Sequence, residues 1–130
     1  MSHTFHVLGL PITQGSKVVM RGRLVDVKSK ALKSWRSGIA DIAAPRFNEP
    51  MLGSVVMECC FFLPRPKTVK RLLPSVKPDV DKLGRAVMDA LTGVAYKDDC
   101  QVTDLILRKR YATTDSPMGV VITLGEHNGV

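Results

Sequence analysis

Nine consecutive residues, Val55 to Leu63 (VVMECCFFL), are apolar apart from Glu58, and a folded chain has to bury them. The run is too short for a lone helix, and its β-branched and aromatic content suits a strand well covered by its neighbours. It is expected at the centre of a sheet. Cys59 and Cys60 are adjacent in it and would point to opposite faces, so packing outweighs redox or metal chemistry for both. With Cys100 they make three cysteines without a CxxC spacing. An odd number cannot close into a complete intrachain disulfide set and favours a reducing compartment.

The rest of the chain arranges itself about this strand. Thr4 to Leu10 reads as a first strand stopped by Pro11, and Ile12 to Lys17 as a loop broken at Gly15. Val18 to Val27 reads as a hairpin with Arg21-Gly22-Arg23 at its tip. Ser29 to about Ala44 carries Leu32, Trp35, Ile39 and Ile42 at helical spacing, with Ser29 as its N-cap and Lys30, Lys33 and Arg36 off the stripe. A second helical stripe starts at Asp79, with Val80, Leu83, Val87 and Leu91, and stops at Thr92-Gly93. Gln101 to Tyr111 and Met118 to Leu124 read as two further strands joined by a Thr-Asp-Ser-Pro loop, and Gly125 to Val130 as a frayed tail. The order implies an α+β fold, a mixed sheet packed by two main helices. At 130 residues and 45% hydrophobic content, residues 1–130 suit one domain with one core.

Charge narrows the function. Nineteen Lys and Arg against twelve acids give a net charge of +7, which favours a polyanionic partner. Pro64 to Pro78 (PRPKTVKRLLPSVKP) holds Arg65, Lys67, Lys70, Arg71 and Lys77 with no acid, and its four prolines exclude a long regular element. A flexible basic loop in this place would grip phosphate. No basic n-region precedes an apolar stretch, and no apolar run approaches the ~20 residues that span a bilayer, so no membrane partner and a cytoplasmic location are expected. Nucleotide-binding glycine loops are absent, and His3, His6 and His127 have no zinc spacing.

Directly after the basic loop, Asp79, Asp81, Asp89, Asp98 and Asp99 crowd into about twenty residues. Each has a structural explanation alone. Asp79 suits an N-cap, Asp81 complements the helix dipole and pairs with Arg85 at i,i+4, and Asp98-Asp99 suits a turn. Together they suit a hard divalent ion, Mg²⁺ with Mn²⁺ as an alternative, which needs only one or two carboxylates beside water and phosphate oxygens. Asp89, about 12 Å along the helix from Asp81, suits a structural role better.

Read as one string, KPDVDKLGRAVMDALTGVAYKDDCQV, Lys77 to Val102, resembles the central motif of the RusA endonucleases: an acid-x-acid helix start, a basic residue four further on, DALT, and aromatic-x-DD-x-QV. The resemblance extends more weakly to the LP-x-x-x-GSK loop, the tryptophan helix and the strand before the basic loop. It implies an α+β fold, a homodimer, Mg²⁺ dependence and resolution of four-way (Holliday) junctions by paired nicks in DNA recombination and repair, in a bacterial cell or from a phage gene. The family's metal-binding aspartates fall on Asp79, Asp81 and Asp99, with Asp98 as a substitute because the spacing to DD is one residue short. Its catalytic lysine falls on Arg85, which keeps the charge but cannot carry a proton at neutral pH. Lys82 or Lys97 can supply an amine instead, and both extend the basic surface expected to bind DNA. The competing reading is a non-catalytic protein that binds branched DNA and uses its carboxylates only as caps and turns. Arg85 in place of lysine favours it, and the joint presence of all four site aspartates opposes it.

Overall fold

The structure, a computed structural model, describes residues 2–15, 17–26 and 29–127. Ser29 as an N-cap, Val27 as the hairpin's end and the fraying of residues 128–130 lie outside what it describes. Six strands and two helices follow in the order β1 (Ser2–Leu8), β2 (Lys17–Met20), β3 (Arg23–Asp26), α1 (Ser29–Ala43), β4 (Val55–Leu63), α2 (Val80–Leu91), β5 (Val102–Tyr111) and β6 (Gly119–Glu126). A four-stranded sheet has the order β1-β6-β4-β5, and β2 and β3 form a separate two-stranded ribbon. β4 pairs antiparallel with β6 and parallel with β5, so the sheet is mixed and the α+β expectation holds. β5 and β6, successive in sequence, are separated by β4.

The strand expected at the centre is there, but it is covered on one face only. Val55, Met57, Cys59, Phe61 and Leu63 are buried while the residues between them are half-buried. Full burial of such side chains contributes about 1.5–3 kcal/mol each, and truncating Phe61 to alanine would cost about 3–5 kcal/mol. Both cysteines behave as strand alternation requires. Cys59 faces the core, where desolvation pushes its thiol up to about 12 and removes any nucleophilic role at neutral pH.

Helix α1 buries Leu32, Trp35, Ile39 and Ala43, whereas Ile42 stays 42% exposed. The buried stripe therefore runs through Ala43, one position past the expected Ile42, because seven and eleven residues bring a helix back to the same face. Pro45, within the short 3₁₀ turn Ala44–Arg46, carries the chain out of the helix. The hairpin tip is the pair Arg21-Gly22, both with positive φ, and Arg23 already belongs to β3. The tail also differs from expectation, since Gly125 and Glu126 pair with Val56 and Val55.

What positions the functional region is the unit β4-α2-β5. Two parallel strands need a crossover, and α2 supplies it over the buried face. Gly84 lets it lie close: a Cβ there would come within 2.4 Å of a Leu107 methyl. The start of α2 consequently sits at the carboxyl ends of β4 and β5, and its end at their amino ends.

Candidate active site at the start of helix α2

The start of α2 is fixed from outside the helix. Lys109 on β5 donates from Nζ to the carbonyls of Val76 and Pro78, at 2.7 and 2.9 Å, and so holds the chain as it enters the helix. Asp79 follows in the N-cap position with an extended backbone, yet its side chain caps nothing. Its nearest charge is Lys82 Nζ at 3.7 Å. Asp81 and Arg85 are both exposed on the first two turns, and the ion pair their spacing allows is not formed among the described residues. The expected capping and pairing roles of these two aspartates are thus not what the structure displays. Two exposed carboxylates remain, with Lys77, Lys82 and Arg85 around them.

The basic loop is irregular, as its prolines require, but it is tethered. Arg71 donates to the Tyr111 hydroxyl at 2.8 Å, Arg65 donates to the Arg71 carbonyl, and the Arg65 guanidinium lies 4.9 Å over the Tyr111 ring. These two arginines brace the loop, whereas Lys67, Lys70 and Lys77 are exposed. Sequence reasoning missed Arg108, Lys109 and Arg110, which it treated only as strand. The signal was present in LRKRY, because a strand that ends in three cations carries positive charge to its carboxyl end.

The other end of α2 is organised differently. Asp98 accepts from the Cys100 amide at 3.0 Å, and Gln101 Oε1 accepts from the amides of Lys97 and Asp98, which completes a capping box. Gln101 Nε2 donates to the carbonyls of Met51 and Gly53 at 2.8 and 3.0 Å. Tyr96 is buried and donates to the Met88 carbonyl at 2.7 Å. Asp89 accepts from Gln14 Nε2, and Gln14 in turn accepts from Arg36, which lies 3.9 Å from Asp89. Gln14 is thereby tied to both helices.

The Cys100 amide holds the Asp98 carboxyl below its usual range. Desolvation first, then the neighbouring Asp98 and the charge of Asp89, hold Asp99 above it. Asp99 therefore belongs with Asp89 at the carboxyl end of α2. Twelve helical residues put about 18 Å between the two ends. Asp79 and Asp81 both lie at the start of α2, and Asp99 lies beyond its other end. Among the described residues no group of three or more His, Cys, Asp or Glu side chains is close enough to hold a metal ion. Asp79 and Asp81 still suit Mg²⁺ in kind, as exposed hard-oxygen donors of the number that ion requires.

No helix among the described residues is long and apolar enough to cross a membrane. The family model described as endodeoxyribonuclease RusA matches residues 10–124. An uncharacterized protein of Bacillus subtilis (strain 168), YqaN, is 35% identical over 129 aligned residues, which cover 83% of this chain and 87% of that protein.

Proposed function

The chain belongs to the RusA endodeoxyribonuclease family, and from that premise we propose that it is a Mg²⁺-dependent endonuclease that resolves four-way DNA junctions by paired nicks. The observation that carries the reading is Asp79, an aspartate in an N-cap position whose carboxylate does no capping and stands beside Asp81 among exposed cations. A cap needs one acid, and the second, Asp81, is exposed and makes no ion pair among the described residues.

Asp79 and Asp81 would hold the ion. When bound, Mg²⁺ supplies polarisation of the scissile phosphate and a more acidic water. The chain's own groups do the rest. Lys67, Lys70 and Lys77 take neighbouring phosphates and set the strand's register. Arg85, about 6 Å further along the helix axis from Asp81, offsets the charge that grows on the phosphate in the transition state without moving a proton.

Asp99 enters through a second copy. Among the described residues β5 pairs on one side only, and Leu105 and Ile106 on it are 41% and 44% exposed. A two-fold axis beside β5 would pair it antiparallel with its twin, setting Asp104 opposite a cation near Arg108 and covering both apolar side chains. The amino end of one β5 then meets the carboxyl end of the other. Asp99 of the partner subunit would thus approach Asp79 and Asp81, and two equal sites would face the two-fold of a junction. The test is to incubate purified protein with a labelled four-way junction with and without Mg²⁺. Symmetric nicks that require the metal are expected, and binding without nicks would favour the non-catalytic reading.

A further inference from the structure

Beside Asp79 opens a cleft of about 530 Å³, inside the range of about 300–1,000 Å³ typical of small-molecule sites. Its walls come from Leu10 and Ile12 in the N-terminal loop, Pro64, Pro74 and Val76 in the basic loop, and Tyr111 at the end of β5. Arg71, Lys77, Lys82 and Asp79 also border it. The composition is unusual for a surface that handles a phosphodiester backbone. Phosphates gain from the cations and lose from apolar walls, so a groove made only to hold backbone has no use for this lining.

The walls are also held in place. Arg65 and Arg71 fix Tyr111 and the loop to each other, and Lys109 fixes the backbone at Val76 and Pro78. Three cations are committed to holding the walls of an apolar cleft that Asp79 borders. The occupant has to combine an apolar, flat body with an attached anion that reaches the cationic border.

We propose that this cleft receives one nucleobase flipped out at the branch point of the DNA, with its own phosphate held by Lys77 and Lys82 and the adjoining phosphate presented to Asp79 and Asp81. The inference rests on the reading of the chain as a junction endonuclease and adds how a branch is told from a duplex. Taking a base out of a continuous stack costs a few kcal/mol, and it costs less where the stack is already interrupted, as at the strand-exchange point of an opened junction. A duplex therefore leaves the cleft empty and its phosphate misplaced, whereas a junction fills it.

The experiment places 2-aminopurine in turn at each nucleotide flanking the branch and measures fluorescence with wild-type protein in the absence of divalent cation. An increase of about fivefold over the free junction is expected at one position on each symmetry-related strand, from loss of stacking. Val76, 48% exposed on the loop, can be enlarged without disturbing the core. Val76→Trp should abolish that increase and slow nicking about tenfold, within the span that loss of a stacked base contact produces. On a junction with an abasic nucleotide at the same position the variant should nick within about twofold of wild type, since neither protein then has a base to place in the cleft. Absence of any position-specific increase, parental nicking by Val76→Trp on the intact junction, or failure of the abasic junction to rescue it overturns the proposal. The fluorescence measurement needs no cleavage. If wild-type protein fails to nick junctions with Mg²⁺, the endonuclease reading falls while the cleft is still decided by fluorescence.

Discussion

Asp79 and Asp98 both stand in cap positions, one before α2 and the other before the short 3₁₀ turn Asp99–Gln101, yet only Asp98 caps. Asp98 takes the Cys100 amide, and its carboxyl is held low by that bond. The Asp79 carboxylate caps no helix amide and faces Lys82 instead. The same residue type in a cap position thus caps at one end of α2 and faces a lysine at the other. What separates them is the surroundings. At the carboxyl end Gln101, Tyr96 and Asp89 spend their polar groups on backbone and on Gln14 and Arg36, and at the amino end Asp79 faces Lys82 while Asp81 and Arg85 are exposed and make no ion pair among the described residues.

The widest separation between the two ends should appear in activity. Asp81→Asn removes a ligand charge and is expected to lower Mg²⁺-dependent nicking by about 10³-fold or more, while junction affinity holds or rises because repulsion from DNA falls. A gel assay of nicking paired with a binding titration checks both halves, and undiminished cleavage would remove the amino end as the site. Arg85 should come next. Arg85→Ala is expected to slow nicking about 10²-fold with little change in affinity, the scale of losing one transition-state donor, and Arg85→Lys should keep most of the rate. Equal loss in both variants would mean that guanidinium geometry, and not charge, is what the site uses.

The sequence displayed the amino end more fully than the carboxyl end, for physical reasons. Helix period, the apolar run of β4 and the acid-x-acid start are local, and each can be read within a dozen residues. The roles at the carboxyl end are made by contacts far apart in the chain: Gln101 with Met51 and Gly53, Asp89 with Gln14. No periodicity reports such pairs. Lys109 shows the same limit, since its work on Val76 and Pro78 depends on β5 lying parallel to β4. The grouping of Asp99 with Asp79 and Asp81 rests on the family resemblance, and topology puts them at opposite ends of α2.

Stability should reverse the ranking of the two ends. Gln101→Ala deletes four hydrogen bonds and is expected to cost about 2–3 kcal/mol, at less than the roughly 1 kcal/mol each of an average bond because several are exposed. Asp98→Ala should lower Tm at pH 7, whereas Asp99→Asn should raise it. The signs follow from the shifts. The Asp98 carboxyl is depressed in the folded chain, so its stabilisation is present above the unfolded value near 3.9 and is lost as pH falls through the folded value. Asp99 is raised, so its ionisation works against the fold once pH exceeds that unfolded value. Thermal melts from pH 3 to 8 should show the Asp98→Ala deficit closing at the acid end and the Asp99→Asn gain growing toward neutrality. Deficits of one sign in both would mean that Asp99 is as structural as its neighbour.

The smallest effect is reserved for the loop that borders the active end, and it separates bracing cations from DNA-binding ones. Arg65 and Arg71 are engaged with each other and with Tyr111, so their replacement would alter loop shape as well as charge. Lys67 and Lys70 are exposed and make no ion pair among the described residues. Each phosphate contact that releases a counterion contributes about 0.9 to the slope of log K against log salt. The double variant Lys67→Glu and Lys70→Glu should therefore weaken binding to junction and duplex alike and shallow that slope by about 2, with folding intact. Titrations at several salt concentrations measure it. An unchanged slope would turn this edge of the loop away from DNA and leave the grip to Lys77 and Lys82, which border the cleft with Asp79 and would then have to set both affinity and register.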